Sequence, residues 1–316
     1  MLERLGQQIE GIAAASGATV GFGFQRLGTD ERLILGEGQP FPMASTYKIA
    51  MAVKLLQQVD AGKIGLSDMI PIDRDELSPG GGLVKAHIYH PGLALSVHNL
   101  IGLAMTVSDN TSTDKMLELA GGPDAVTASL RAADIDGMRV DRSTKRLITD
   151  AFGVTDKVPD GGWSYRFLLD NEEPVFKVDP PPAAADSFLA DERDTSTPEA
   201  MVSLLRKLYD GELLAPGSTR LLLDIMERCD SGQARLKGML PPGVPVLHKT
   251  GTIPTACIND AGIIRLPDGG GAITAVFVKA TAARQFIGNQ AAERVIAQCA
   301  RAAYDFALFA TVSDPA

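Results

Sequence analysis

The chain has 316 residues, of which 45% are apolar and 22% charged, and its formal net charge is −9 at pH 7. Those proportions are ordinary for a soluble globular protein with ample core for one large domain or two lobes, while the acidic balance excludes nucleic acid or an anionic membrane as a partner. Cys229, Cys257 and Cys299 are odd in number and lack a Cys-x-x-Cys spacing, which predicts buried free thiols and no disulfide framework, zinc site or cofactor.

The first ten residues lack the apolar core of a signal peptide, and no run approaches the roughly 20 apolar residues of a membrane span. As it stands the sequence reads as cytoplasmic, and a periplasmic or secreted chain whose leader had been removed would read the same. Leu5, Ile9 and Ile12 predict an amphipathic helix over 3–15. Thr19–Phe24 and Arg32–Leu35 predict two strands joined through Gly28-Thr29-Asp30. Ile49, Val53 and Leu56 then recur at helical spacing, and Gly62 marks the stop. A helix beginning near Ala44 places Ser45 in its first turn, among unpartnered backbone N–H groups, with Lys48 three residues on along the same face. Ser78-Pro79-Gly80-Gly81-Gly82 is the loosest point of the turn-rich stretch that follows.

Ser96 is placed to cap a helix carrying Leu100, Leu103, Ala104 and Val107, which runs into Ser108-Asp109-Asn110. Helices over 111–120 and 124–133 follow. From 141 to 191 no period is sustained, which predicts a long loop, as a lid, a binding segment or disorder. Ser196-Thr197-Pro198-Glu199 restarts a helix to about Tyr209, and another spans 219–229. Residues 244–252, 260–266 and 272–279 read as strands, and 291–309 as a closing helix. Strands at both ends of a helical middle predict an α/β (α+β) chain with one lobe from residues 1–38 and 229–316, and an inserted all-α lobe from 39–228.

Ser45-x-x-Lys48 alone is weak evidence, because average composition yields that pattern roughly once per few hundred residues, and Ser112-x-x-Lys115 is a second copy. It gains force from two rarer tripeptides in fixed order, Ser108-Asp109-Asn110 and Lys249-Thr250-Gly251. With the flanking text Phe41-Pro42-Met43-Ala44, Val107 and Thr111, and Asp191-Glu192-Arg193-Asp194-Thr195, the chain resembles the class A serine β-lactamase family over about residues 3–310. The resemblance implies a two-lobed fold with a five-stranded antiparallel sheet. It also implies Ser45 as the acylated nucleophile, Lys48 as its base or electrostatic partner, and Ser108 as a proton relay to the leaving nitrogen. Asn110 would grip a substrate carbonyl; Lys249, Thr250, Thr252 and Arg235 would hold the substrate, beside a strand that Gly251 leaves open. The backbone N–H groups of Ser45 and Thr252 would form the oxyanion hole. Asp109 and His248 are expected to be structural, and Ser112 and Lys115 to form a solvated helix face.

The family's loop opens on an Asp-Arg pair and supplies a glutamate that activates the deacylating water. Here the text is Asp141-Arg142-Ser143-Thr144, with Thr144 at that glutamate's place, which predicts slow release of the acyl group unless Glu172 or Glu173 re-enters from the loop or Lys48 serves both steps. The expected protein is a monomeric serine hydrolase of β-lactams, amides or esters, with a D-alanyl peptidase or esterase, or a penicillin-binding sensor or trap, as alternatives.

Overall fold

The computed structural model describes residues 1–87, 92–159, 162–281 and 286–310. Helix α1 (Leu2–Ser16) leads into β1 (Thr19–Arg26), β2 (Arg32–Leu35) and a two-residue β3 (Phe41–Pro42), after which a 3₁₀ turn over Ala44–Tyr47 opens α2 (Lys48–Asp60). Then come β4 (Met69–Pro71), α3 (Leu83–His87), β5 (Ala94–Ser96), α4 (Val97–Thr106), α5 (Asn110–Leu119) and α6 (Pro123–Ala132). Helices α7 (Thr144–Ala151), α8 (Tyr165–Asn171) and α9 (Pro182–Ala190) precede β6 (Thr195–Ser196), α10 (Pro198–Tyr209) and α11 (Pro216–Glu227). The chain closes with β7 (Val246–Ile253), β8 (Cys257–Arg265), β9 (Gly271–Lys279) and α12 (Asn289–Ala310).

Five strands form one antiparallel sheet in the order β2-β1-β9-β8-β7, so the N-terminal hairpin joins the C-terminal meander through β1 and β9. Both faces of β9 are covered, which is why its text, Gly271-Ala272-Ile273-Thr274-Ala275-Val276-Phe277-Val278, is almost continuously apolar. Val276 and Val278 join Leu5, Ile9, Phe22, Phe24, Val295 and Ile296 in a core under α1 and α12. Ile273, Ala275 and Phe277 point the other way, into the core shared with α2, α4, α10 and α11. That alternation fixes the register, since a one-residue slip would exchange the two cores. Ser96 caps α4 by accepting Asn99 N–H at 3.2 Å, and Thr197 caps α10 by accepting Ala200 N–H at 3.2 Å.

The segment 141–191 is helical where its sequence predicts a loop. Its helices have 7 to 9 residues, too short to show a period and too short to stand alone, so packing supplies their stability. Phe152 and Phe176 meet edge-on at 5.8 Å, and Trp163 and Phe167 at 5.2 Å. All three cysteines are buried and unpaired. Among the described residues no helix is long and apolar enough to cross a membrane.

Candidate active site

The backbone before Ser45 is held from three sides. Phe41 and Pro42 pair with Ser196 and Thr195, Met43 N–H donates to Asp194 O at 3.0 Å, and Asn259 Nδ2 donates to Pro42 O at 2.8 Å and Met43 O at 3.1 Å. These anchors keep Ala44 at φ 46°, a left-handed conformation that a non-glycine residue rarely adopts. Ser45 therefore sits in the tight 3₁₀ turn just ahead of α2 instead of in the first turn of the α-helix itself. In a 3₁₀ turn residues i and i+3 eclipse, so Ser45 and Lys48 stand one above the other. Gly251 of β7 faces this turn. A Cβ there would lie 2.5 Å from Met43 O and 3.1 Å from Ser45 N, so glycine is what lets the strand lie against the serine.

Across from Ser45, Ser108 occupies the break between α4 and α5 with φ 58°. Asp109 enforces the break by capping α5, accepting Ser112 N–H at 2.7 Å through one oxygen and Val84 N–H at 2.8 Å through the other. The turn presents the Ser108 hydroxyl to two lysines. Lys48 Nζ donates to Ser108 O at 2.8 Å, Ser108 Oγ at 3.2 Å and Asn110 Oδ1 at 2.9 Å, while Lys249 Nζ donates to Ser108 Oγ at 3.0 Å and Thr250 O at 2.9 Å. Both lysines are fully buried. Burial, with Lys249 nearby, pulls the Lys48 amine well below the usual lysine range, and burial brings Lys249 down to about 8. Two amines sharing one hydroxyl favour a state in which one of them is neutral.

Arg235 lies behind β7 and is buried: Nη1 donates to Gly251 O at 3.1 Å and Asn259 O at 3.0 Å, and Nη2 to Thr252 Oγ1 at 2.7 Å. Asn110 Nδ2 donates to Pro79 O at 2.8 Å, leaving its second amide hydrogen available. His248 is a core residue, its Nδ1 lying 2.9 and 3.0 Å from the Asp260 oxygens. Although burial opposes its charge, Asp260 raises it to about 9.

The wall behind Ser45 has no carboxylate at the predicted position. Thr144 is buried, its hydroxyl 2.6 Å from Tyr47 OH and its amide donating to Asp114 at 2.5 Å. Glu172 pairs with Lys85 at 2.5 Å and Glu173 with Lys177. The segment still closes on itself through Arg142, whose Nε meets Asp194 at 2.5 Å and whose Nη1 reaches Asp150 and Asp191 at 2.8 and 2.9 Å. Ser112 and Lys115 correct the expectation of a solvated face: both are buried, and Lys115 is paired with Glu76 and Glu118. Asn259, which fixes the backbone before Ser45, belongs to no motif and had no signal in the sequence.

A serine on a strained turn, a second serine bridging two buried amines, and a glycine-thinned strand thus come together at one place. The chain belongs to the β-lactamase enzyme family, whose profile matches residues 4–307. The extended-spectrum β-lactamase PER-1 of Pseudomonas aeruginosa is 30% identical, over 96% of this chain and 87% of that protein. Among solved structures, a β-lactamase from Chitinophaga pinensis superposes with a TM-score of 0.78 at 28% identity, over 96% of this chain and 99% of that one. An ancestral class A β-lactamase superposes at 0.77 with 28% identity, over 96% and 99%. This protein is accordingly a serine hydrolase of the class A β-lactamase family.

Proposed function

We propose that Ser45 opens β-lactams bearing a carboxylate, in a cleft between a lobe of residues 1–38 and 229–316 and a lobe of 39–228. Lys48, whose amine burial and Lys249 draw toward the neutral form, gives up one of its three hydrogen bonds and takes the proton as Ser45 Oγ attacks the lactam carbonyl. The backbone N–H groups of Ser45 and Thr252 receive the developing oxyanion. Ser108 then gives its proton to the departing nitrogen and recovers one from Lys48, so the amine ends neutral. Lys249 and Thr250 take the substrate carboxylate, with Arg235, held behind the strand by Glu293 and the carbonyls of Gly251 and Asn259, adding its positive charge; Asn110 takes a side-chain carbonyl, and Gly251 leaves the strand backbone open.

The single observation that carries this reading is Ser108 Oγ lying 3.2 Å from Lys48 Nζ and 3.0 Å from Lys249 Nζ. One hydroxyl bridges the base on the nucleophile's turn and the cation on the substrate-binding strand. Release of the acyl group is slow in this reading, because Thr144 stands where a water-activating carboxylate is needed and Glu172 and Glu173 are paired elsewhere. Intact-mass spectrometry after mixing with benzylpenicillin tests both halves. The expected result is an adduct of one penicillin that forms quickly, decays slowly and is absent from Ser45→Ala. No adduct with any penicillin or cephalosporin would overturn the nucleophile assignment, and rapid turnover without accumulation would overturn slow release.

A further inference from the structure

A polar chain behind β7 has no part in the roles given so far. In the turn after α11, Ser231 Oγ lies 2.6 Å from Thr250 Oγ1 and 3.4 Å from Cys229 Sγ. The turn is shaped around Thr250: Gly232 has φ 71°, and a Cβ there would lie 2.4 Å from Thr250 Cγ2. Lys237 Nζ donates to Cys229 O at 2.9 Å, and Arg235 N–H to Gly232 O at 2.9 Å, which ties the turn to the arginine that reaches Thr252.

A threonine hydroxyl has one proton and two lone pairs. If Thr250 gives that proton to Ser231, it has none for a ligand; if it accepts from Ser231, the proton is free. Ser231 has a donor behind it in the Cys229 thiol. Burial raises that thiol, but the neighbouring His248 and Lys249 more than offset this and bring it to about 7, so below that pH the S–H can feed the chain. Thiol to Ser231, Ser231 to Thr250, and Thr250 to an anion is an order that satisfies every group, and each bond polarises the next.

We propose that Ser231 is a positioning residue for carboxylate-bearing substrates: by donating to Thr250 Oγ1 it frees the threonine's single proton for the substrate carboxylate. The inference rests on the assignment of Thr250 as a substrate-binding hydroxyl. At pH 6, the rate and saturation of Ser45 acylation are measured with benzylpenicillin and with its methyl ester. The proteins compared are the native chain, Ser231→Ala, Ser231→Thr, Thr250→Ala and the Ser231→Ala/Thr250→Ala double variant.

Ser231→Ala is expected to weaken half-saturation by the free acid about fivefold, as loss of one hydrogen bond predicts, with the saturated rate little changed. The ester should respond by less than half as much. Ser231→Thr should restore the native value, and the double variant should be no worse than Thr250→Ala alone. Equal losses for acid and ester, or losses that multiply in the double variant, would reduce Ser231 to a structural role and overturn the proposal. If Thr250→Ala itself leaves the preference for acid over ester intact, the Thr250 assignment fails and the proposal with it. A preference lost in Thr250→Ala but kept in Ser231→Ala overturns the Ser231 role alone.

Discussion

Two walls flank Ser45, and they are made differently. The β7 wall is one regular strand whose fit depends on single atoms: Gly251 against Met43 O, Lys249 against Ser108 Oγ, Arg235 bonded to the carbonyls of Gly251 and Asn259. The opposite wall is a run of short helices between Arg142 and Asp194, which meet at 2.5 Å although 52 positions apart. Arg142 also holds Asp150, Trp163 donates to Leu77 O and Lys85 holds Glu172, so the segment is pinned at a few points and its length is taken up by the short helices between them. In the proposed reading the tightly fitted wall serves formation of the acyl-enzyme, and the wall rebuilt around Thr144 is the one on which release depends.

The sharpest way to break the β7 wall is Gly251→Ala. The new methyl would fall 2.5 Å from Met43 O, so the strand must retreat from the turn and separate the two oxyanion donors. Loss of one such donor typically costs about 10²–10³-fold in rate, and acylation by benzylpenicillin should fall by that much while circular dichroism stays native. Acylation within threefold of native would mean that the strand does not supply a donor.

The β7 wall was also the more legible of the two. The strands read at 244–252 and 272–279 lie within two residues of the observed Val246–Ile253 and Gly271–Lys279; the second has a long apolar run buried on both faces, which is a strong signal, whereas the first is polar at its centre, His248-Lys249-Thr250-Gly251-Thr252. Ser96 and Thr197 announced their helices because capping is a local property. The left-handed backbones of Ala44 and Ser108 are not legible, since they depend on contacts from other segments: Asn259 on the carbonyls before Ala44, and Val84 on the Asp109 side chain beside Ser108. The reason for Gly251 was only half legible: the sequence pointed to room for a substrate, and the structure adds the nucleophile's own turn. Ser112 and Lys115 misled because Glu76, which partners Lys115, lies on another segment. On the rebuilt wall, α7 to α9 are shorter than the window in which a period can be recognised.

The second prediction asks what the rebuilt wall lacks. Thr144→Glu restores a carboxylate at the predicted place, but Asp114 already accepts the Thr144 and Lys145 amides, and a second acid beside it would be repelled. Combining it with Asp114→Asn removes that charge while keeping one acceptor oxygen for the shorter of the two bonds, from the amide of residue 144. A positioned general base typically contributes about 10²–10⁴-fold, so the penicillin adduct of the double variant should decay about a hundredfold faster than in Asp114→Asn alone. An unchanged lifetime would show that the missing carboxylate is not what limits release.

The smallest effect should come from the glutamates already present on that wall. Glu172 is held by Lys85 at 2.5 Å, with their side chains 21% and 15% exposed, and Glu173 is 77% exposed and paired with Lys177. Glu172 thus ties the π-helical turn Glu172–Phe176, which follows α8, to α3, and Glu173 spans one turn of its own segment; exposed pairs of the latter kind contribute about 0–1 kcal/mol. Removing a working general base would lengthen the adduct's life about 10²-fold or more, whereas Glu172→Gln and Glu173→Gln are each expected to leave it within twofold by intact-mass time course. A tenfold longer life in either variant would bring that carboxylate to the acyl bond, and the rebuilt wall would then contain its own base at a different point along the chain.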